Sequence, residues 1–184
     1  AEDGIRDVER SRGLGDVYKR QEFRNLLYAI SHPGEIVKLK TSYPYISILN
    51  RDVFFYGDTK EDVEFIRRYT EAVYTNIEEA DYLIFQKEPD KDTLKKVKIG
   101  DLEFPENGAT IFLKIDEIGK GTKVSMKGPG IKDFINISLT VSKDFFETIK
   151  EINDFPMGVD IFFIDRQKNM IAIPRSVEVK VWDL

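Results

Sequence analysis

Two arginines, Arg24 and Arg175, have the chemistry needed to hold an oxyanion such as a phosphate. Arg24 lies in a segment with helical spacing, and Arg175 follows a proline at the end of a predicted strand. A guanidinium presents paired N–H donors that match the oxygens of such a group. The ordinary alternative is a salt bridge within the chain or at a subunit interface, which is how most arginines are used.

Gly128 and Gly130 flank a proline and could offer backbone N–H groups to the same kind of anion. Pro129 has no N–H, however, and the sequence has no GxxxxGK[ST] pattern of a phosphate loop. A sharp turn is therefore the ordinary interpretation of these glycines. Asp160 begins a predicted strand, and we expect it to cap a turn or to pair with Arg175.

Composition argues against other kinds of site chemistry. The 184 residues include no cysteine and a single histidine, His32, which disfavours a thiolate nucleophile, a Cys or His metal site and a Ser-His-Asp triad. None of the lysines has a sequence context that nominates it as a Schiff base for pyridoxal phosphate. We therefore predict no catalytic residue, no bound metal and no cofactor.

The overall balance of residues is that of one globular domain. Hydrophobic residues make up 41% of the chain and charged residues 33%, and the formal net charge is −5. This charge favours neither nucleic acid nor an anionic membrane surface as a partner. The sequence shows no apolar run long enough to span a bilayer and no secretion signal, so we expect a cytoplasmic location.

Periodicity predicts the helices that must position these residues. Phe23, Leu26, Leu27 and Ile30 fall at i, i+3, i+4 and i+7, which predicts a helix over residues 22–31 with these four side chains facing the core. Further helices are predicted after the cap at Asp58 or Thr59, over residues 142–153, and as a helix or loop over residues 89–98.

Short apolar runs between turn residues predict the strands, and together with the helices they predict one mixed α/β domain. The predicted strands cover residues 35–40, 53–56, 72–75, 81–86 and 109–115. Residues 122–127 are expected to pair with the strand at 109–115 across the turn at Gly119-Lys120-Gly121. Residues 43–50 are ambiguous between strand and helix, and residues 153–179 predict a closing β-hairpin.

The first 21 residues lack the periodicity of a helix or a strand, and a disordered tail is the plain expectation. Reverse translation suggests a sharper one. Residues 16–21, DVYKRQ, are spelled by GAT GTG TAT AAG AGA CAG, the end of a common transposase-based sequencing adapter. Residues 1–7 and 11–15 fit the rest of that adapter. We therefore predict that residues 1–21 are translated adapter, and that residues 22–184 form a single domain lacking its native N-terminus.

Three segments, in order along the chain, closely resemble one family. The first is FRxLLxAxSxPG from Phe23 to Gly34, and the second runs from PExGAT at Pro105 to the GPGI that ends at Ile131. The third runs from NxFPxGxD at Asn153 to AxPR at Arg175. Their ordered combination resembles PhnH, a subunit of the bacterial carbon–phosphorus lyase machinery.

This resemblance implies a fold and a function. The implied fold is an α/β sheet layered with helices, similar to that of pyridoxal-phosphate-dependent transferases but without the cofactor. The implied partners are the PhnG, PhnI and PhnJ subunits of a core complex, with a PhnH homodimer at its centre. That complex transfers an alkylphosphonate to the ribose of ATP and releases adenine, the ribose 1-methylphosphonate 5-triphosphate synthase step of phosphonate catabolism.

Three hypotheses of function remain open at this point. The first is a non-catalytic subunit of that transferase complex, and the second is a free-standing cofactor-dependent transferase. The third is a module that binds a small ligand or a partner. We expect Trp182 to be a packing anchor at the edge of the core or at a partner surface.

Overall fold

The computed structural model describes residues 2–182, without the side chains of residues 2–14 and 16. The described helices are α1 (Glu2–Ser31), α2 (Lys60–Tyr69), α3 (Lys91–Leu94) and α4 (Lys143–Ile152). The strands are β1 (Val37–Lys38), β2 (Phe54–Gly57), β3 (Val73–Tyr74), β4 (Tyr82–Phe85), β5 (Thr110–Lys114), β6 (Ile118–Lys127), β7 (Ile135–Leu139), β8 (Asp160–Ile164), β9 (Asn169–Ile173) and β10 (Glu178–Val181).

A mixed seven-stranded sheet forms the centre of the molecule, in the order β1-β9-β8-β5-β4-β2-β3. Strands β8, β5, β4, β2 and β3 run parallel to one another, whereas β9 pairs antiparallel with both β8 and β1. A separate antiparallel sheet has the order β10-β6-β7. The expectation of a mixed α/β fold is confirmed.

Alternating side chains of the parallel strands fill two cores, one on each face of the central sheet. Ile111 and Leu113 of β5 pack with Val124 and Met126 of the small sheet and with the buried face of α4. Phe112, which lies between them in sequence, points to the other face and packs in the core that contains Leu26, Ala29, Tyr45 and Ile66. The central strands are apolar on both faces because each face is covered.

Local signals correctly predicted two of the helices. The Thr59 hydroxyl accepts a hydrogen bond from the Asp62 N–H at 3.2 Å and begins α2, while the Ser142 hydroxyl accepts from the Phe145 N–H at 3.1 Å and begins α4. Such caps satisfy N–H groups that have no partner inside the helix. No helix within residues 2–182 is long and apolar enough to cross a membrane.

Helix α1 differs from its prediction in both its start and its buried face. It begins at Glu2 rather than near Glu22, so the expected disordered tail is wrong for residues 2–21. The helix continues through these residues although they include Gly4, Gly13 and Gly15, which have a poor helix propensity. Leu26 and Ala29 are buried as the helix packs on the sheet, but Phe23 and Leu27 are 44% and 50% exposed.

The predicted hairpin between residues 109–115 and 122–127 is wrong. Strand β5 is paired on both sides by parallel neighbours, β4 and β8, which leaves no free edge for β6. Gly119 and Gly121 do not form a tight turn but lie inside β6, where Ile118 and Thr122 both pair with Leu139 around a bulge. Strand β7, which the sequence did not predict, is the partner that β6 takes instead.

The closing hairpin is confirmed as β8 and β9, which pair antiparallel from Ile161 with Ile173 to Ile164 with Met170. The chain then leaves the central sheet, and β10 joins β6. Two other predictions need correction. The strand expected over residues 35–40 is reduced to Val37–Lys38, and the ambiguous segment 43–50 contains a short 3-10 helix at Pro44–Ser47.

Candidate functional site

The carboxyl edge of the parallel sheet has the arrangement at which α/β folds bind ligands. Strands β2 and β4 are neighbours, but the chain leaves β2 through α2 toward β3 and leaves β4 through α3 toward β5, on opposite sides. Open α/β sheets form a crevice where the connections diverge in this way. Close to this point lies a cavity of about 290 Å³, lined in part by Ser42, Tyr43, Gln86, Lys114 and Arg166.

Lys114 is the central side chain of this cavity. Its ammonium donates a hydrogen bond to the Ser42 carbonyl oxygen and lies 5.5 Å from the centroid of the Tyr43 ring. Burial lowers the pKa of Lys114 to about 8, and the attraction of Asp62 opposes this shift. Desolvation penalises the charged form of an amine, so a buried lysine releases its proton at a lower pH than an exposed one.

Asp62 is the nearby negative charge, and neutral donors hold it in place. Its carboxylate accepts hydrogen bonds from the Thr59 hydroxyl and from Gln86 Nε2, each at 2.7 Å, and from the Tyr45 hydroxyl at 3.4 Å. Burial and the Asp62 charge both raise the pKa of Tyr45, which therefore stays protonated and continues to donate. This network anchors Gln86, a lining residue of the cavity, to the start of α2.

The other charged residues of the cavity are already committed to partners. Arg166 Nη2 lies 2.5 Å from Asp116 Oδ1, while Asp165 Oδ1 accepts the backbone N–H groups of Gln167 and Asn169 at 2.8 and 2.9 Å. Among the side chains that the structure describes, no carboxylate forms an ion pair with Lys114. An ammonium has three donors, so two remain for a ligand. In its neutral form the same amine is a base or a nucleophile.

Sequence reasoning missed Lys114, although a signal was present. The residue closes the apolar run TIFLK of β5 and is followed by Ile115, so it sits at the end of a buried strand rather than on a solvated face. What the sequence does not show is that Ser42 and Tyr43, about 70 residues earlier in the chain, close over it.

At the opposite, amino edge of the sheet, the structure brings Asp160 and Arg175 together, as expected. The Arg175 guanidinium donates to Asp160 Oδ2 from Nη2 at 2.7 Å and from Nε at 3.2 Å, and the Arg175 backbone N–H donates to Asp160 Oδ1 at 2.8 Å. Nη1 and Nη2 also donate to the carbonyl oxygens of Pro105 and Gly108, at 2.6 and 3.2 Å. Arg175 therefore ties the end of β9 to the turn before β5.

Close packing at this amino edge of the sheet also explains the Asn and Gly residues of the third motif. The Asn153 side chain accepts from the Val159 N–H at 2.8 Å and donates to the Val159 carbonyl oxygen at 3.3 Å. Gly158 has a φ of +136°, and a Cβ there would lie 2.5 Å from Asn153 Oδ1. A Cβ on Gly108 would lie 2.3 Å from the Gly158 carbonyl oxygen. Two backbones thus approach each other too closely for any residue but glycine.

The remaining candidate residues lie apart from both edges. A Cβ on Gly130 would lie 2.6 Å from the Ser31 carbonyl oxygen, and one on Gly128 would lie 2.9 Å from the Ser176 carbonyl oxygen, so close packing accounts for both glycines. Arg24 is exposed on α1. His32 stacks on Tyr28 with ring centroids 4.1 Å apart, and Lys123 Nζ lies 4.0 Å from the ring centroid of the half-exposed Trp182. A phosphate or interface role for Arg24, Gly128, Gly130, Asp160 or Arg175 stays a prediction.

Together, the layered sheet and the polar cavity at its carboxyl edge define an α/β protein with a ligand-sized site. Comparison with known proteins identifies the family. The family described as bacterial phosphonate metabolism protein (PhnH) matches residues 16–180. The chain therefore belongs to the PhnH family, and the matched region includes residues 16–21 of the expected adapter segment.

A curated relative extends this comparison. The chain is 27% identical over 86 residues to a protein of Stutzerimonas stutzeri named "Putative C-P lyase subunit protein HtxG". The match covers 46% of this chain and 44% of that relative, so it spans less than half of the relative's length.

Proposed function

We propose that this protein is a subunit of the carbon–phosphorus lyase core complex. The observation that carries the proposal is the match to the PhnH family over residues 16–180, and the name of the HtxG relative supports it. The proposed partners are PhnG-, PhnI- and PhnJ-type subunits, and the protein pairs with a second copy of itself. Because the reaction consumes ATP, the complex works in the cytoplasm.

In the proposed reaction, an oxygen of the alkylphosphonate bonds to the ribose carbon of ATP that carries the base. The bond from that carbon to adenine breaks, and adenine leaves. This is the ribose 1-methylphosphonate 5-triphosphate synthase step. The role of this chain is to support the assembly that performs it, without supplying a reacting group. The seven-stranded sheet between layers is compatible with a fold related to pyridoxal-phosphate-dependent transferases.

The test is reconstitution. The chain is co-expressed with PhnG-, PhnI- and PhnJ-type subunits, the complex is purified through a tag on a different subunit, and adenine release from ATP and methylphosphonate is measured by chromatography. We expect the chain to co-purify and its omission to reduce adenine release. A chain that stays monomeric and leaves adenine release unchanged would contradict the proposal. A visible pyridoxal absorbance band in the purified protein would favour a free-standing transferase instead.

Binding of a small ligand at the carboxyl-edge cavity is the second candidate function, and Lys114 is the observation that favours it. Its ammonium has three donors, and the described residues use one of them, so two can contact an anionic oxygen. Calorimetric titration with methylphosphonate, with ATP and with sulfate tests this idea, and Lys114→Met is the matched variant. Binding that is equal in both proteins would reject the cavity as the site.

We also propose that residues 22–184 form the native domain and that residues 1–21 are translated adapter. In the described side chains from Gly15 onward, the first buried one is Glu22, and Val17 and Tyr18 are 64% and 48% exposed. The nucleotide sequence decides the matter. Any other synonymous codons across residues 16–21 would reject an adapter origin.

A further inference from the structure

The amino edge of the central sheet exposes apolar side chains that the fold does not use. Leu102 and Phe155 are 75% and 68% exposed, the highest values among the large apolar side chains that the structure describes, and Phe104 is 52% exposed. Single exposed apolar residues are ordinary, but a contiguous group around a pocket marks an interaction site.

These side chains stand on an anchored backbone. Phe104 precedes Pro105, whose carbonyl oxygen accepts from Arg175, and Asp101 Oδ1 accepts from the Phe104 N–H at 2.7 Å. Phe155 lies in the turn between Asn153 and Gly158 that the Asn153 side chain closes onto Val159. Because the backbone is held in place, a partner that covers these rings orders little more than the side chains themselves.

The pocket beside these rings is open and acidic. Its volume is about 650 Å³, and Pro105 and Pro156, which follow Phe104 and Phe155 in the chain, lie in its lining. The charged residues of the lining are four carboxylates and one cation: Asp52, Asp81, Glu106, Asp160 and Arg175. The basic groups at this edge are paired: Lys98 with Asp81 at 2.5 Å, Arg175 with Asp160 at 2.7 Å, and Arg51 with Asp52 at 3.9 Å. Among the described side chains, Glu106 is the carboxylate of the pocket lining that has no ion pair. Four exposed carboxylates in the turns that carry Phe104 and Phe155 have no ion-pair partner among the described side chains: Asp101, Glu103, Glu106 and Asp154.

We propose that this amino-edge surface, formed by Leu102, Phe104, Glu106, Phe155 and the pocket beside them, docks a different protein chain. The partner inserts a lysine or arginine side chain into the acidic pocket and covers the rings with apolar neighbours. The inference rests on the proposed function, in which this chain is a subunit of an assembly. It adds the face of the subunit that makes the contact and the chemistry of the segment that the face accepts.

The negative charge of the amino-edge surface favours a basic protein segment over a second copy of this chain, a nucleic acid or a free phosphate compound. A two-fold contact with a second copy would place the same carboxylates opposite one another, and like charges facing across an interface are repulsive. A nucleic acid or a free phosphate compound is repelled for the same reason. A basic segment is attracted, and its approach is accelerated at low ionic strength.

The test measures the affinity of the full chain for the purified complex of the other three subunits, with two variants of the surface. We expect Phe155→Ser and Glu106→Lys each to weaken binding about tenfold or more, because buried aromatic anchors and complementary charges dominate such contacts. Raising the salt concentration from about 0.05 M to about 0.5 M should weaken the wild type more than Glu106→Lys. Phe134→Ser is the matched control, since Phe134 is 64% exposed beside β7 of the small sheet. Thermal melting shows that each variant is folded.

The outcomes separate this inference from the function on which it rests. If the wild type binds and both surface variants bind within about twofold of it, the docking surface is wrong while the proposed function stands. The docking surface is also wrong, and the proposed function still stands, if Phe134→Ser loses binding while the two surface variants still bind. A wild type that does not bind the other subunits overturns both. If Phe155→Ser only converts a homodimer to a monomer, the partner at this surface is a second copy and the proposed occupant is wrong.

Discussion

Replacing Lys114 with methionine is expected to change how the free energy of unfolding depends on pH. In the folded protein, burial lowers the pKa of Lys114 to about 8, whereas an exposed lysine has a pKa of 10.5. Between these two values the unfolded chain binds more protons than the folded chain, so the folded state gains stability as the pH rises. Below about pH 8 both states are protonated, and the cost of burying the charge is constant.

The size of the effect follows from the interval between the folded and the unfolded pKa values of Lys114. A difference of one bound proton changes the free energy of unfolding by about 1.4 kcal/mol for each pH unit. From about 8 to 10.5 this amounts to about 3 kcal/mol, of which most develops by about pH 10. The methionine variant has no such term, because it carries no charge at any pH.

Urea unfolding followed by circular dichroism, in steps from about pH 6.5 to about pH 10, measures the effect for both proteins. Burial raises the pKa of Tyr56 and of Tyr82, so the folded state loses stability when these residues ionise in the unfolded chain. That loss is common to both proteins and cancels in their difference. Lys132→Met removes an exposed lysine as the control. Equal pH profiles for wild type and Lys114→Met would refute the burial argument.

Three further substitutions test the corners of the fold by the same unfolding measurement. Arg175→Ala should cost about 3 kcal/mol, because it leaves the Asp160 carboxylate without its counter-ion and removes a donor from the carbonyl oxygens of Pro105 and Gly108. A loss under about 0.5 kcal/mol would contradict this role. Gly158→Ala should cost about 2 kcal/mol or more, and Gly119→Ala should cost less. Both glycines have a positive φ, but only at Gly158 would the new Cβ clash with a neighbouring atom. Equal losses of stability for the two variants would show that the clash is not the cause. Glu22→Gln should cost about 1–2 kcal/mol, because the buried carboxylate accepts hydrogen bonds from the N–H groups of Lys40 and Thr41 at 2.7 and 2.9 Å. Gln21→Ala changes an exposed neighbour and should alter the stability little. Similar losses for the two variants would contradict an anchoring role of Glu22.

Signals carried by neighbouring residues predicted the local structure well. The caps at Thr59 and Ser142 lie three residues before the N–H groups that they accept, and the hairpin of β8 and β9 has its turn between them. These contacts connect residues that are close in sequence, so composition and spacing reveal them. The ion pair of Asp160 with Arg175 could be predicted for the same reason, since the hairpin register brings the two residues together.

The errors occurred where partners are distant in sequence. The glycines at 119 and 121 have the chemistry of a turn, but whether β5 pairs with β6 depends on the strands that already occupy its edges. The apolar stripe of α1 includes Phe23 and Leu27, yet the sheet covers only the face that carries Leu26 and Ala29. Periodicity gives the faces of a helix and not which of them finds a partner.

The sequence by itself determined the class of fold, most of the elements and, through three ordered motifs, membership of the PhnH family. Only the tertiary structure decided which residues form sites. Lys114 acquires a pKa of about 8 because Ser42 and Tyr43 close over it, and Phe155 is 68% exposed because the described part of the fold leaves it uncovered. Burial and electrostatics depend on the positions of all neighbouring atoms, and those positions are set by long-range packing rather than by local spacing.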